Sequence, residues 1–129
     1  MTVKARSSKG RTERLATGVG WVSLGMGAAM TLAPRRSAAL LGWADREGLA
    51  RLVGGVDLVL GAGLLRGRRR TWWMLARALL NAILCLIYAR VLAEGLPDRG
   101  RPAAGAGMMA ALTLFDYSLS RRLREAETL

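Results

Sequence analysis

The fold is decided by residues 49–92, which consist of two apolar runs joined by a short basic segment. They read LARLVGGVDLVLGAGLL (49–65), RGRRR (66–70), a single Thr71, and WWMLARALLNAILCLIYARVL (72–92). Each apolar run is long enough for an α-helix that crosses a hydrocarbon core of roughly 30 Å. The segment between them is too short to be a domain, so the two helices are expected to be antiparallel neighbours. This stretch therefore predicts a helical hairpin in a membrane.

The composition of the whole chain points to the same environment. The chain has 129 residues, which predicts one domain. Its net charge is +11, yet 52% of its residues are hydrophobic, and the charges form short clusters between apolar runs, as in membrane proteins. A soluble nucleic-acid-binding protein is usually less apolar, and the basic N-terminal segment has no interleaved aromatic residues. The expected partner is therefore the lipid bilayer, and no nucleic acid is expected.

The residue types of this sequence do not favour a metal or cofactor site. The sequence has no histidine and a single cysteine, Cys85, so an intrachain disulfide and metal sites of the usual Cys/His kind are excluded. Cys85 lies in an apolar run, where a free cysteine normally packs as a small hydrophobic residue. We expect no metal, no cofactor and no catalytic residue, and the chain is not expected to be an enzyme.

Two further apolar stretches complete a predicted all-α, four-helix transmembrane bundle of up-down-up-down topology. Residues 15–33 carry no charge and match the thickness of the hydrocarbon core. Residues 103–120 are rich in alanine and glycine, which allow helices to pack closely. The first of these stretches has no charged face, and a soluble helix would need one.

The segment 34–48 connects the first two spans and is too apolar for a solvated loop. It predicts a short helix that lies in the membrane interface, with Trp43 at headgroup depth and Asp45 as a candidate N-cap of the next helix. Trp72 and Trp73 at one end of the third span, and Tyr88 near the other, are predicted to be interfacial aromatics as well.

The distribution of Lys and Arg predicts the orientation. Residues 1–14 contain five of them, 66–70 contain four and 121–129 contain three, against three in 34–48 and two in 94–102. Positive charge marks the cytoplasmic side. We therefore expect a multi-pass protein of the cell membrane with both termini in the cytoplasm, including a disordered basic arm over residues 1–14 and a short tail from 121 to 129.

Glycine spacing predicts where helices pack. Gly54 and Gly61 are seven residues apart and share one face of the second span, which predicts a packing seam. Two pairs in the first span have the small-xxx-small spacing of closely packed membrane helices: Ser23/Gly27 and Gly25/Ala29.

A few polar residues inside the spans form the candidate functional site. Measured from the basic segment 66–70, Asp57 and Arg77 lie at about the same depth, which predicts an ion pair between them. Arg77, Asn81, Cys85 and Tyr88 share one helix face. The candidate intramembrane cluster is Asp57, Arg77, Asn81 and Asp116.

Two interpretations of this cluster stay open. One is a structural clasp that holds helices in register, and the other is a site that binds a proton or a substrate. The clasp is favoured because no second acid is expected at the depth of Asp57, no span has a proline in its middle, and histidine is absent.

The run RLVGGVDLVLG (51–61) resembles the Arg-x-x-Gly-x-x-(Asp/Glu)-Leu-x-x-Gly signature of DoxX-like proteins and of related small four-helix integral membrane proteins of actinobacterial type. Arg51, Gly54, Asp57 and Gly61 match the pattern, and the loop after Pro34 with Leu40-Leu41-Gly42 is similar to theirs. Arg77 and Asn81 lie outside it. The resemblance implies a four-helix bundle without catalytic activity, associated with redox or envelope partners.

The favoured function is that of a structural or accessory membrane protein, which acts with another membrane or envelope protein or as a homo-oligomer. The alternative is a small proton-coupled transporter, or a quinone- or lipid-binding membrane subunit, that uses the Asp57/Arg77 cluster. Four-helix multidrug exporters rely on an acid in the middle of the first span, and residues 15–33 contain none.

Overall fold

A computed structural model describes residues 3–43, 46–95 and 99–128 of the chain. Within these ranges the protein is all-α, as the sequence predicted. Its five helices are α1 (Val3–Leu32), α2 (Pro34–Leu41), α3 (Glu47–Leu65), α4 (Arg70–Ala93) and α5 (Gly100–Glu127).

Three of these helices are long and apolar enough to cross a membrane, with candidate spans over Arg6–Leu32, Glu47–Leu65 and Arg70–Ala93. Helix α5 is not among them, so a four-span bundle goes beyond this finding. The predicted N-cap, Asp45, lies outside the described residues.

Helices α1 and α3 pack antiparallel along a glycine seam, which we define as Gly20, Gly27, Gly54 and Gly61. A Cβ atom added to Gly27 would lie 2.7 Å from the Gly54 carbonyl oxygen, and one added to Gly61 would lie 2.8 Å from the Gly20 carbonyl oxygen. The two backbones therefore touch at two levels one heptad apart, which only glycine permits. The predicted Gly54/Gly61 seam is confirmed, whereas Gly25 points into open space.

Helices α4 and α5 form the second antiparallel pair. Gly105 accommodates the Tyr88 ring, the Cys85 thiol donates to the Ala106 carbonyl oxygen, and Thr71 donates to a Glu127 carboxylate oxygen at 3.0 Å. Packing within the α1/α3 and α4/α5 pairs is far more extensive than packing between them.

The buried apolar side chains form two clusters, one at each end of the bundle. The α2-end cluster contains Met30, Ala38, Trp43, Ala50, Val53, Leu84, Tyr88 and Met109. The loop-end cluster, next to the basic segment 66–70, contains Ala16, Leu64, Met74, Leu119 and Leu123. Each cluster draws on all four long helices, so the two together join the helix pairs.

Helix α2 confirms the short helix predicted after the first span. Pro34 occupies its first position, where the missing N–H costs no hydrogen bond. Gly42 ends it in the left-handed conformation with φ 77°, and the Trp43 N–H then donates to the Ala38 carbonyl oxygen. Whether α2 lies in a membrane interface stays a prediction.

Two aromatic residues that were predicted to be interfacial are core residues instead. Trp43 and Tyr88 are 1% and 0% exposed, with ring centroids 5.8 Å apart. The turn at Gly42 directs Trp43 back over the α2-end cluster, where a large ring fills the space between the helix pairs.

The prediction of a disordered arm over residues 1–14 is wrong for the residues from Val3 onward, which continue α1 without a break. Thr12 is only 6% exposed, so the base of this extension is packed against the bundle. Helix α5 likewise continues to Glu127, well beyond the expected end of its span at Ser120.

Candidate functional site

A central polar layer separates the two apolar clusters. We define it as Ser23, Asp57, Arg77, Asn81 and Asp116, so that each of the four long helices contributes at least one member. On each long helix, the layer residues lie between one residue of the loop-end cluster and one of the α2-end cluster. These flanking residues are Ala16 and Met30 on α1, Leu64 and Val53 on α3, Met74 and Leu84 on α4, and Leu119 and Met109 on α5. The topology thus gathers the polar side chains at one level of the bundle.

The centre of the layer is a closed hydrogen-bond network between α4 and α5. Arg77 Nη1 donates to Asp116 Oδ1 at 3.0 Å, and Asn81 Nδ2 donates to Asp116 Oδ2 at 2.5 Å. Arg77 and Asn81 are one helical turn apart on α4, so both donors reach the same carboxylate. Asp116 is completely buried, and Arg77 is 8% exposed. Such burial of charge is tolerated only when the charges are paired and hydrogen-bonded.

The face predicted on α4 is confirmed, because all four of its residues contact α5. Arg77 and Asn81 bind Asp116, Cys85 contacts the Ala106 carbonyl oxygen, and Tyr88 packs on Gly105. This face is therefore the α4 side of the α4/α5 interface.

The predicted Asp57–Arg77 ion pair is wrong, because Arg77 pairs with Asp116. The prediction assumed that two helices joined by a short turn also pack most closely on each other. In the structure α4 packs mainly on α5, and α3 packs mainly on α1. Helix packing therefore selects Asp116, which is distant in sequence, over Asp57.

Asp57 is part-buried and makes no hydrogen bond or ion pair with any residue that the structure describes. The charged groups that act on it electrostatically are Arg77 and Asp116. Two carboxylates thus interact electrostatically with the Arg77 guanidinium, and one of them, Asp116, is bonded to it. The sequence argument that no second acid lies at the depth of Asp57 is corrected by this arrangement.

Two buried polar atoms of the layer lack a hydrogen-bond partner within the described part of the chain. They are Arg77 Nε and Ser23 Oγ, and Ser23 is only 1% exposed. Buried groups of this kind usually bind an ordered water or another small polar molecule. Sequence reasoning considered Ser23 only as a packing residue. Ser23 lies between Gly20 and Gly27 on the same face of α1, and this spacing was the sequence signal for its burial.

The four residues of the sequence motif have different roles. Gly54 and Gly61 belong to the glycine seam, and Asp57 belongs to the central polar layer. Arg51 lies apart from both, exposed on the outer face of α3. The structure therefore does not bring the motif together as one site.

At the α2 end, an ion pair joins the α1/α3 pair to the α4/α5 pair. Arg46 Nη2 donates to both carboxylate oxygens of Glu94, at 2.7 and 2.9 Å, and both side chains are partly exposed. The bond connects the start of α3 with the end of α4. Both residues lie in connecting segments, where helical periodicity gives no signal.

Comparison with known proteins adds no relative: no family model, no curated protein and no solved structure matches the chain. The site must therefore be interpreted from its own chemistry. The Arg77–Asn81–Asp116 network is suited to hold two helices together. Asp57, Arg77 Nε and Ser23 Oγ offer a carboxylate, an N–H donor and a hydroxyl to a small polar ligand.

Proposed function

We propose that this chain is a four-span membrane protein of structural or accessory type, in which α1, α3, α4 and α5 cross the bilayer. Helix α5 pairs with α4 from the level of Thr71/Glu127 to that of Tyr88/Gly105. Because α4 is apolar and long enough to span a membrane, a helix packed along it occupies the same depth.

The proposed location is the cell membrane, with both termini in the cytoplasm. Arg70 donates to Thr17 of α1, and Thr71 donates to Glu127 of α5, so three basic regions lie at one end of the bundle. These regions are the start of α1, the segment 66–70 and the end of α5. A cationic end of this kind faces the cytoplasm under the positive-inside rule.

The observation that carries the structural role is the closure of the network at Asp116. Both of its carboxylate oxygens accept hydrogen bonds from α4, which leaves this buried acid committed to the helix pair. A structural protein of this kind acts through its surface, with a membrane or envelope protein or a second copy as the partner. The resemblance to DoxX-like proteins agrees with such a role and stays a prediction.

The stability of detergent-solubilised Arg77→Gln, Asp116→Asn and the double variant tests the clasp. Each single change should be strongly destabilising, because it leaves a buried partner without its counter-charge, at a cost of about 3 kcal/mol or more. The double variant, which retains neutral hydrogen-bonding groups, should recover part of the loss. Asp57→Asn is the matched control and should change stability little.

The opposite pattern would refute the clasp. If Asp57→Asn destabilises the protein as much as Asp116→Asn does, the closed network is not what holds the helices. Reporter fusions at both termini test the topology separately, because an odd number of spans would place the two reporters on opposite sides.

A second candidate function is favoured by the free carboxylate of Asp57. Together with Arg77 Nε, which has no hydrogen-bond partner among the described residues, it offers a binding place for a proton or small ligand, as a proton-coupled transporter or a quinone- or lipid-binding subunit requires. Liposomes with an entrapped pH dye distinguish the two functions. A structural protein should give the proton flux of empty liposomes, whereas a transporter should give a flux that Asp57→Asn abolishes and Asp57→Glu retains.

A further inference from the structure

The outer face of α3 carries an exposed groove with a single cation at one end. The Arg51 groove is lined by Arg51, Leu52, Gly55, Val56, Val59 and Leu60, and encloses about 390 Å³. Leu52 and Val59 are 65% and 59% exposed, so this face has no cover within the described protein. Gly55 forms an open notch, because a Cβ atom there would meet nothing within 4 Å.

Arg51 itself has no hydrogen bond or ion pair with any described residue. Among the residues that the structure describes, the acids near the same end of α3 are already paired: Glu47 binds Arg35 at 2.9 Å, and Glu94 binds Arg46. The guanidinium is thus available to an external anion. The motif residue that joins neither the glycine seam nor the central polar layer is the one that faces outward.

The position of Arg51 determines which anion fits. It lies one helical turn inside the start of α3, on a face that the proposed four-span arrangement exposes to lipid. An arginine at this depth extends its side chain toward the headgroup layer, where phosphate oxygens are its natural partners. The apolar remainder of the groove runs from Leu52 to Val59, roughly 10 Å along the helix axis, and provides an apolar surface for an acyl chain to pack against.

We propose that the Arg51 groove binds an anionic glycerophospholipid. The guanidinium pairs with the lipid phosphate, and one acyl chain lies over the Gly55 notch between Leu52 and Val59. The inference rests on the proposed membrane placement of α3. It assigns to Arg51 a lipid-binding role that is separate from the central polar layer.

The test uses the full chain in phosphatidylcholine vesicles that contain a phosphatidylglycerol with a photoactivatable acyl chain. After illumination, peptide mass spectrometry locates the cross-links. In the unaltered protein they should concentrate on residues 52–59. Arg51→Gln should lower labelling of these residues about fivefold, the ratio that one arginine contributes near an anionic surface. Arg90→Gln, which removes an exposed arginine one helical turn before Glu94, should leave it unchanged.

A second variant tests the apolar part of the site without touching the charge. Gly55→Leu fills the notch with little strain, since its Cβ meets open space, and should reduce labelling of residues 52–59. Gly107→Leu on α5 is the matched control, because its Cβ also meets nothing within 4 Å.

Four results would overturn the proposal. Equal labelling of the unaltered protein and Arg51→Gln would show that the charge of Arg51 does not contribute to lipid binding. Cross-links spread evenly over every exposed apolar face would show that the groove is not a specific lipid site. A dimeric protein whose residues 52–59 carry no lipid cross-links would identify an interface between two copies there. Extraction of the protein from the vesicles by alkaline carbonate, with no labelling anywhere, would refute the membrane placement together with the lipid site.

Discussion

The two helix pairs of this protein are held together in different ways. In α1/α3 the backbones touch at the glycine seam, and the interface consists of close van der Waals contact. In α4/α5 the Tyr88 ring packs on Gly105, and a buried ion pair with an additional amide donor joins the helices. A seam without side chains depends on shape alone, whereas a clasp depends on complete pairing of its polar groups. The variants below test this comparison, from the largest expected effect to the smallest.

Replacing Asp116 by leucine should have the largest effect. The substitution leaves the buried guanidinium of Arg77 without its ion-pair partner, which costs about 3–5 kcal/mol. We expect loss of the folded protein in mild detergent, measured by thermal unfolding and size-exclusion chromatography. Arg77→Met combined with Asp116→Leu should restore much of the stability. A double variant as unstable as the single one would mean that the network does more than neutralise charge.

Replacing Gly27 by leucine should be the next most damaging change. The new side chain would meet the Gly54 carbonyl oxygen and the backbone of Leu58, and backbone atoms cannot move aside as a flexible side chain can. We expect a loss of about 1–3 kcal/mol in the same unfolding assay. Gly25→Leu, two residues away with open space around its Cβ, is the control and should be nearly neutral. Equal losses in both variants would contradict the seam.

Breaking the Arg46–Glu94 pair should have a smaller effect. Both side chains are more than a third exposed, so solvent screens their attraction, and Arg46→Gln should cost about 0.2–1 kcal/mol. The loss should shrink further at high salt, because exposed pairs are screened by ions. Arg36→Gln, which alters an exposed arginine on α2, serves as the control. A large, salt-independent loss would show that the α2 end depends on this bond as α4/α5 depends on Asp116.

Replacing Ser23 by alanine should change stability least. The sign of the change distinguishes a dry polar layer from one that holds a water or a ligand. The Ser23 hydroxyl is buried without a described partner, so its removal from a dry site should be neutral or slightly stabilising, within about 0.5 kcal/mol. If an ordered water or ligand occupies the layer, the variant should instead lose stability, and Asp57→Asn should lose a similar amount. Unfolding in parallel with Ser7→Ala, which alters an exposed serine on the same helix, separates the two outcomes.

Local pattern was sufficient for much of the fold. The lengths of the apolar runs predicted helices, the apolar character of the segment 34–48 predicted the short α2, and the heptad spacing of Gly54 and Gly61 located the seam. These features depend on a few neighbouring residues, whose geometry within one helix is independent of the rest of the chain. The sequence also predicted four members of the central polar layer, Asp57, Arg77, Asn81 and Asp116, but it missed Ser23.

The partners within the cluster were decided by tertiary structure. Depth placed Asp57 and Arg77 at one level, but only the packing of α4 on α5 determined that Arg77 binds Asp116. Trp43 and Tyr88 are typical interfacial aromatics by sequence, yet the turn after α2 buries both. Sequence alone determines the periodicity and length of each helix, because these are local properties. Which helices become neighbours depends on the contacts that every face of every helix can make. Only the assembled bundle therefore determines that Asp116, and not Asp57, pairs with the Arg77 guanidinium.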